Sequence, residues 1–218
     1  MGIPSIVGYP MPAESELPDT VVPWRPDAGR AVLLIHDMQR YFVDFFPPGE
    51  PMNTLVRNVV QLRRAAVDLG VPVVYTAQPG GMSPEERGLL RDFWGRGMGT
   101  DRHSRQIVEE LAPAESDTVL TKWRYSAFHR TGLDEVMRGY GRDQLVICGV
   151  YAHVGCLMTA CDAFTRDIEP FLVADAVADF SEREHRMALE YTAQRCAATM
   201  STRQVLDSVH ADRLAPAP

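Results

Sequence analysis

Apolar and polar positions along the chain alternate between short continuous apolar runs and longer stretches with helical spacing. Residues 31–35, Ala-Val-Leu-Leu-Ile, form a run with no polar interruption, the pattern of a strand buried on both faces. Leu55, Val59, Leu62, Ala66 and Leu69 then recur at three- and four-residue steps, predicting a helix with Asn53 as N-cap and Gly70 as stop. Residues 71–75 read as a second strand. Further on, the pattern predicts a strand over 118–121, a helix over 133–140 and a buried strand over 145–148. A helix over 154–165 and a strand over 170–173 come next. Ser181 and Glu184 make a capping box that opens a helix running to about residue 198. Strand-helix units repeated in this way imply a Rossmann-like, three-layer α/β/α domain whose sheet is mainly parallel.

The first 28 residues are rich in proline and lack periodicity, so an extended N-terminal arm is expected there. The body then covers 29–210, with a short tail over 211–218. No basic patch precedes an apolar run near the start, and no apolar run reaches the length of a membrane span, so a cytoplasmic location is expected. The net charge of -7 argues against nucleic acid or an anionic membrane as partner. A few local basic residues still suffice to bind an anionic small molecule. Cys148, Cys156, Cys161 and Cys196 lie inside apolar segments without disulfide or metal spacing, which points to reduced thiols. Leu206-Asp207-Ser208-Val209 superficially resembles the serine motif of a phosphopantetheine carrier domain. It lacks the preceding glycine and reads better as the end of a helix.

In open α/β sheets the site lies beyond the carboxyl ends of the strands. His36, Asp37, Gln39 and Phe42 follow the first strand; Gln78, Pro79, Arg87, Phe93 and Trp94 follow the second. Lys122, Trp123, Arg124, Tyr125 and Ser126 follow the third, and Tyr151, His153, Gly155 and Cys156 the fourth. A carboxyl group directly after a buried strand is desolvated, which raises its pKa and suits a general acid; Asp37 is therefore either such an acid or a structural acceptor. Lys122 is either a partner in that chemistry or a surface lysine at a strand end. Cys156, at an apparent helix start, is where a nucleophilic thiol would stand. His36 and His153 have no carboxylate or cysteine at ligand spacing, so hydrogen bonding is expected of them and no metal. The chain has no GxGxxG, Walker loop or GxSxG elbow, and no nucleotide cofactor is expected.

The segments HDMQRYF (36–42), YTAQPGG (75–81), RGLLRDFWG (87–95), TKWRYSAFHR (121–130), GVYAHVGC (149–156) and DAFTRDIEPFLVADAVADFS (162–181) together resemble the isochorismatase family. The likeness runs from about residue 3 to 206 and is nearest to the siderophore isochorismatases and the phenazine-pathway enzyme of that family. It implies the isochorismatase-like hydrolase fold and hydrolysis of the enolpyruvyl vinyl ether of isochorismate or 2-amino-2-deoxyisochorismate, without metal or cofactor. The products would be pyruvate and trans-2,3-dihydro-2,3-dihydroxybenzoate or trans-2,3-dihydro-3-hydroxyanthranilate. Cysteine hydrolases of the wider family use an Asp-Lys-Cys triad. The resemblance puts Asp37 and Lys122 at the first two places and Gly155, with no side chain, at the third.

By the same resemblance Asp37 is the general acid that protonates the vinyl-ether methylene, with Lys122 beside it. Gln78, Arg87, Tyr151 and the Gly155 amide are expected substrate contacts. Phe42, Trp94, Tyr125 and Phe128 are expected to wall off bulk water. Absence of a side chain at Gly155 is expected to make room for the enolpyruvyl arm. A nearby cation lowers a carboxyl pKa, so Lys122 opposes the protonated Asp37 unless substrate carboxylates cancel its field. A homodimer is implied too, and a carrier protein acting in trans is a further partner to test. Two other readings remain: a thiol amidohydrolase using Cys156, and a non-catalytic module that docks a carrier protein.

Overall fold

The computed structural model describes residues 2–211; the expected tail over 211–218 lies, apart from its first residue, outside the described residues. Six strands form one sheet in the order β3-β2-β1-β4-β5-β6. They are β1 (Ala31–His36), β2 (Val73–Ala77), β3 (Thr118–Thr121), β4 (Gln144–Val150), β5 (Glu169–Ala178) and β6 (Ala198–Met200), and every pairing is parallel. Nine α-helices lie among the described residues: α1 (Arg40–Val43), α2 (Met52–Asp68), α3 (Pro84–Arg87), α4 (Leu90–Trp94), α5 (Arg102–Arg105), α6 (Leu133–Gly139), α7 (Leu157–Thr165), α8 (Glu182–Arg195) and α9 (Thr202–Ala211). None is long and apolar enough to cross a membrane.

The continuous apolar run of β1 divides by the two-residue period of a strand. Ala31, Leu33 and Ile35 pack on one face with Leu55, Val59 and Leu62 of α2, while Val32 and Leu34 pack on the other with Leu133 of α6 and Ala160 of α7. Both faces are thus dry, as a parallel sheet between two helical layers requires. Chain order reverses between β1 and β4, which run side by side from Ala31 opposite Gln144 to His36 opposite Gly149. The crevice beyond that pair is where such a sheet places its site.

Local boundaries differ from the pattern in instructive ways. β2 begins at Val73, after Pro72; a proline has no N–H for the ladder, so Pro72 contributes only its carbonyl, to Leu33. α2 begins at Met52 with Pro51 as N-cap, and Asn53 lies inside its first turn. β5 runs on to Ala178, well past residue 173, pairing again with β4 at Val177 and Ala178 beyond a register shift between Ile147 and Gly149. Asp175, which interrupts the apolar run, is used from within that strand: its Oδ1 accepts from the Thr202 amide and hydroxyl at the start of α9. α8 ends at Arg195, and the residues after it form β6, which the pattern had absorbed into the helix. Ser181 does cap α8, accepting from the Glu184 amide at 3.3 Å.

Candidate active site

A cleft of about 530 Å³, open mouth included, lies beyond the carboxyl ends of β1, β2, β3 and β4. Its polar floor comes from His36 at the end of β1 and Asp37 just after it, Gln78 after β2 and Lys122 after β3. Its walls are mainly aromatic, with Tyr41, Phe42, Trp94, Tyr125, Tyr151 and Phe180 among them. An apolar cavity with a few convergent polar groups is the usual form of a small-molecule site.

Asp37 is the centre of that floor, with φ at 49° in the left-handed region that non-glycine residues rarely adopt. The turn aims its carboxylate at groups from two other strands. Oδ1 accepts from the Thr76 hydroxyl at 2.6 Å, and Oδ2 accepts from Lys122 Nζ at 2.8 Å. The Asp37 amide in turn donates to Thr76 Oγ1 at 3.0 Å. Both partners of the ion pair are buried, the Asp37 side chain only 5 % exposed and that of Lys122 3 %. Burial pushes the Asp37 pKa up, but Lys122, His36 and Thr76 together outweigh it, and the net shift is downward. Desolvation alone predicts a raised pKa, so the neighbouring cation reverses that expectation.

The segment between β2 and β3 folds over the cleft as three short helices. Gln39 anchors its start: Nε2 donates to the carbonyls of Gln78 and Arg105, and Oε1 accepts from the Gln78 amide at 2.7 Å. Arg87 is buried there, with Nε donating to the Gly95 carbonyl at 3.1 Å. Trp94 reaches across to the loop after β3, its indole N–H donating to the Tyr125 hydroxyl at 2.7 Å. Phe93 points outward and is 63 % exposed. Adjacent positions of a short helix thus separate into a wall residue and a solvent residue.

Three expected site residues are placed differently. Phe128 does not line the cleft; it packs in the core layer on the α6–α7 side of the sheet, with the Arg166 guanidinium 4.7 Å from its ring centroid. Tyr151 lines the cleft with its ring, but its hydroxyl donates to the Phe42 carbonyl at 2.7 Å and is not a free donor. Gly155 lines the cleft as well, yet the space beside it is not vacant. A β-carbon there would fall 2.1 Å from His36 Cε1, so the imidazole fills the volume expected to receive an enolpyruvyl arm.

Cys156 is fully buried in the second core layer, off the cleft, and burial pushes its thiol pKa well up. The expected helix over 154–165 opens as a π-helical turn, Ala152–Cys156, before α7, and this turn carries Gly155 toward the cleft and Cys156 away from it. His153 stands outside the cleft. Its Nδ1 and its amide both meet the Asp179 carboxylate at 2.6 Å. Burial lowers its pKa, but Asp179 outweighs this and holds it raised. Among the described residues no group of three His, Cys, Asp or Glu side chains is placed to hold a metal ion.

Several lining residues escaped the sequence pattern. Phe180 packs on Tyr151 with ring centroids 4.4 Å apart and also meets Trp94. It follows the part of β5 that the pattern left out. Tyr41 adjoins Phe42, which was singled out, and Ile3 reaches the cleft from the N-terminal segment, for which nothing local gives a signal; Arg124, named after the third strand, does line the cleft.

Comparison with known proteins gives a consistent set of likenesses. Residues 31–204 match the family described as Isochorismatase domain. The chain is 57% identical over 210 residues to a Bacillus subtilis protein named Isochorismatase, covering 96% of this chain and 67% of that one. It is 56% identical over 206 residues to Phenazine biosynthesis protein PhzD1 of Pseudomonas aeruginosa, covering 94% of this chain and 99% of that one. Enterobactin synthase component B of Escherichia coli is 47% identical over 207 residues, with 94% of this chain and 73% of that one covered. Among solved structures, a cysteine hydrolase from Pseudomonas syringae shares the fold, with a TM-score of 0.78 at 24% identity over 89% of this chain and 98% of that one.

Proposed function

The chain belongs to the isochorismatase family, and from that premise we propose that it hydrolyses the enolpyruvyl vinyl ether of isochorismate or of 2-amino-2-deoxyisochorismate. The observation that carries the proposal is a buried Asp37, held by Thr76 and Lys122 on the floor of an aromatic-walled cleft that has no cysteine among its described lining residues. A vinyl ether needs no nucleophile. Protonation of its terminal methylene carbon gives an oxocarbenium ion, water adds, and the hemiketal collapses to pyruvate and the ring alcohol. Asp37 is the proton donor, a role worth about 10²–10⁴ in rate.

Lys122 holds Asp37 ionised, and the acid must be protonated when the methylene arrives. Substrate supplies the correction. Its carboxylates pair with Lys122 and Arg87, cancel their positive field and add negative charge near Asp37, which raises its pKa. The pH profile of kcat, which reports the enzyme–substrate complex, therefore stays level to well above the ordinary aspartate value of about 4 and falls only beyond it. A kcat already falling from about pH 4 upward contradicts the idea.

The partner in this reading is an anionic small molecule, with Gln78 and Arg87 as its polar contacts and Phe42, Trp94, Tyr125 and the Tyr151 ring excluding bulk water. The homodimer is tested by light scattering, and a carrier protein in trans by pull-down with the purified carrier. A pyruvate-release assay run side by side on both substrates tests the proposal. A large ratio of kcat/KM assigns the substrate, and comparable values leave a dual-substrate enzyme. No pyruvate from either substrate overturns the reading.

A further inference from the structure

His36 ends β1, directly before the acid, and is 1 % exposed. Its Nδ1 lies 2.8 Å from the Val150 carbonyl oxygen. A carbonyl only accepts, so Nδ1 carries the hydrogen and Nε2 is left with a bare lone pair. Among the described residues, Nε2 is the single buried side-chain nitrogen or oxygen without a hydrogen-bond partner. Such an atom calls for an explanation, and a catalytic role is one of the few available. Its position supplies one. His36 and Gly155 both line the cleft, Nε2 lies 2.7 Å from where a β-carbon on Gly155 would fall, and Nδ1 is 3.9 Å from Asp37 Oδ2.

We propose that His36 is the base of the hydration step, its Nε2 accepting a proton from the water that adds to the oxocarbenium carbon. The inference rests on the vinyl-ether reading above and extends it to the second half of the reaction. In the first step the Asp37 proton forms the new methyl C–H bond and leaves a carboxylate. In the second, water forms the C–O bond and gives one proton to His36, whose imidazolium then stands beside the Asp37 carboxylate. In the third, the ether C–O bond breaks. The departing ring oxygen takes the proton from His36, and the hemiketal hydroxyl returns its proton to Asp37 as the pyruvate carbonyl forms. One water is consumed and both side chains are restored.

The surroundings suit this role. Burial, aided by Lys122, pushes the His36 pKa down to about 4 against the pull of Asp37, so the ring is neutral and ready to accept at pH 7. A weak base is enough, because water bonded to an oxocarbenium carbon is a strong acid. The Val150 carbonyl, bonded to Nδ1, and the Tyr125 carbonyl, which makes no hydrogen bond to Nε2 of the neutral ring, both favour the protonated ring once it forms. Shielding from bulk solvent means that a water meeting Nε2 arrives through the substrate cleft.

The test is His36→Asn, which removes the Nε2 acceptor, read in D2O with isochorismate. For the wild type, protonation commits the substrate, so unreacted isochorismate recovered part-way carries no deuterium on its vinyl methylene. In the variant the cation waits for water and reverts. The expected result is a kcat lower by about 10²–10⁴, a KM within about threefold, and deuterium in the recovered methylene. Loss of kcat without that deuterium, an unchanged kcat, or equal deuterium with the wild type overturns the proposal. If His36→Asn folds poorly by circular dichroism, His36→Gln is read by the same assay. A wild type that releases no pyruvate is instead a failure of the functional reading.

Discussion

Replacing Lys122 by methionine tests the electrostatics of the floor most sharply. The two side chains are almost wholly buried and 2.8 Å apart, and among the described residues Asp37 has no other cation in hydrogen-bond contact. Methionine keeps most of the apolar volume of the lysine stem, so the main perturbation is loss of charge. Removing one member of a buried pair costs about 3–5 kcal/mol, because the other is left uncompensated. At about 2–4 °C per kcal/mol for a domain of this size, the melting temperature should fall by about 6–20 °C at pH 7. The sign of the pH dependence separates charge from packing. In the wild type the Asp37 pKa is depressed, so its contribution is present above the unfolded value of about 3.9 and is lost as pH falls through the folded pKa. In the variant burial acts with much less opposition, the pKa rises, and Asp37 is protonated over a wider range. The deficit in melting temperature should therefore be largest near pH 8 and shrink toward pH 4. Differential scanning calorimetry of both proteins across that range measures it. A deficit that stays the same at every pH refutes the argument and assigns the loss to packing alone.

Two other substitutions probe the wall beyond β4. Gly155→Ala drives a β-carbon into the His36 ring, where 2.1 Å separates it from Cε1; overpacking of this kind costs about 1–3 kcal/mol, and both melting temperature and pyruvate release should fall, with unchanged values for both contradicting the packing. Cys156→Ala removes a sulfur from the core layer and not from the cleft, so kcat should stay within about threefold while stability drops by about 1 kcal/mol; a kcat loss of a hundredfold in a folded variant would restore the thiol reading.

Much of this arrangement was legible in the chain. The unbroken apolar runs of β1 and β4 signalled strands covered on both faces, and the residues just after strands β1 to β3 do supply the polar floor: Asp37, Gln78 and Lys122. The Ser181 cap was legible because capping depends on three neighbouring residues. What was missed depends on contacts between distant segments. Phe128 was assigned to the cleft by the family resemblance, but the turn after Tyr125 carries it to the opposite core layer. Gly155 looked like a vacancy because nothing in GVYAHVGC shows that a histidine from another strand fills it. For Asp37, its place after a strand signals only the desolvation that raises a pKa; the opposing charge of Lys122, 85 residues away, entered through the family resemblance and not through any local pattern. β5 and the wall residue Phe180 were cut short by Asp175, a polar residue inside a strand whose use as the α9 cap appears only when both elements are assembled.

The central claim is that Asp37 delivers the proton that starts the reaction. Its most direct test is pyruvate release from isochorismate by the wild type and Asp37→Asn, with circular dichroism confirming that both are folded. The account predicts rapid release by the wild type and a kcat lower by at least about 10²–10⁴ in the variant. A folded Asp37→Asn protein that releases pyruvate within about threefold of the wild-type rate would contradict it.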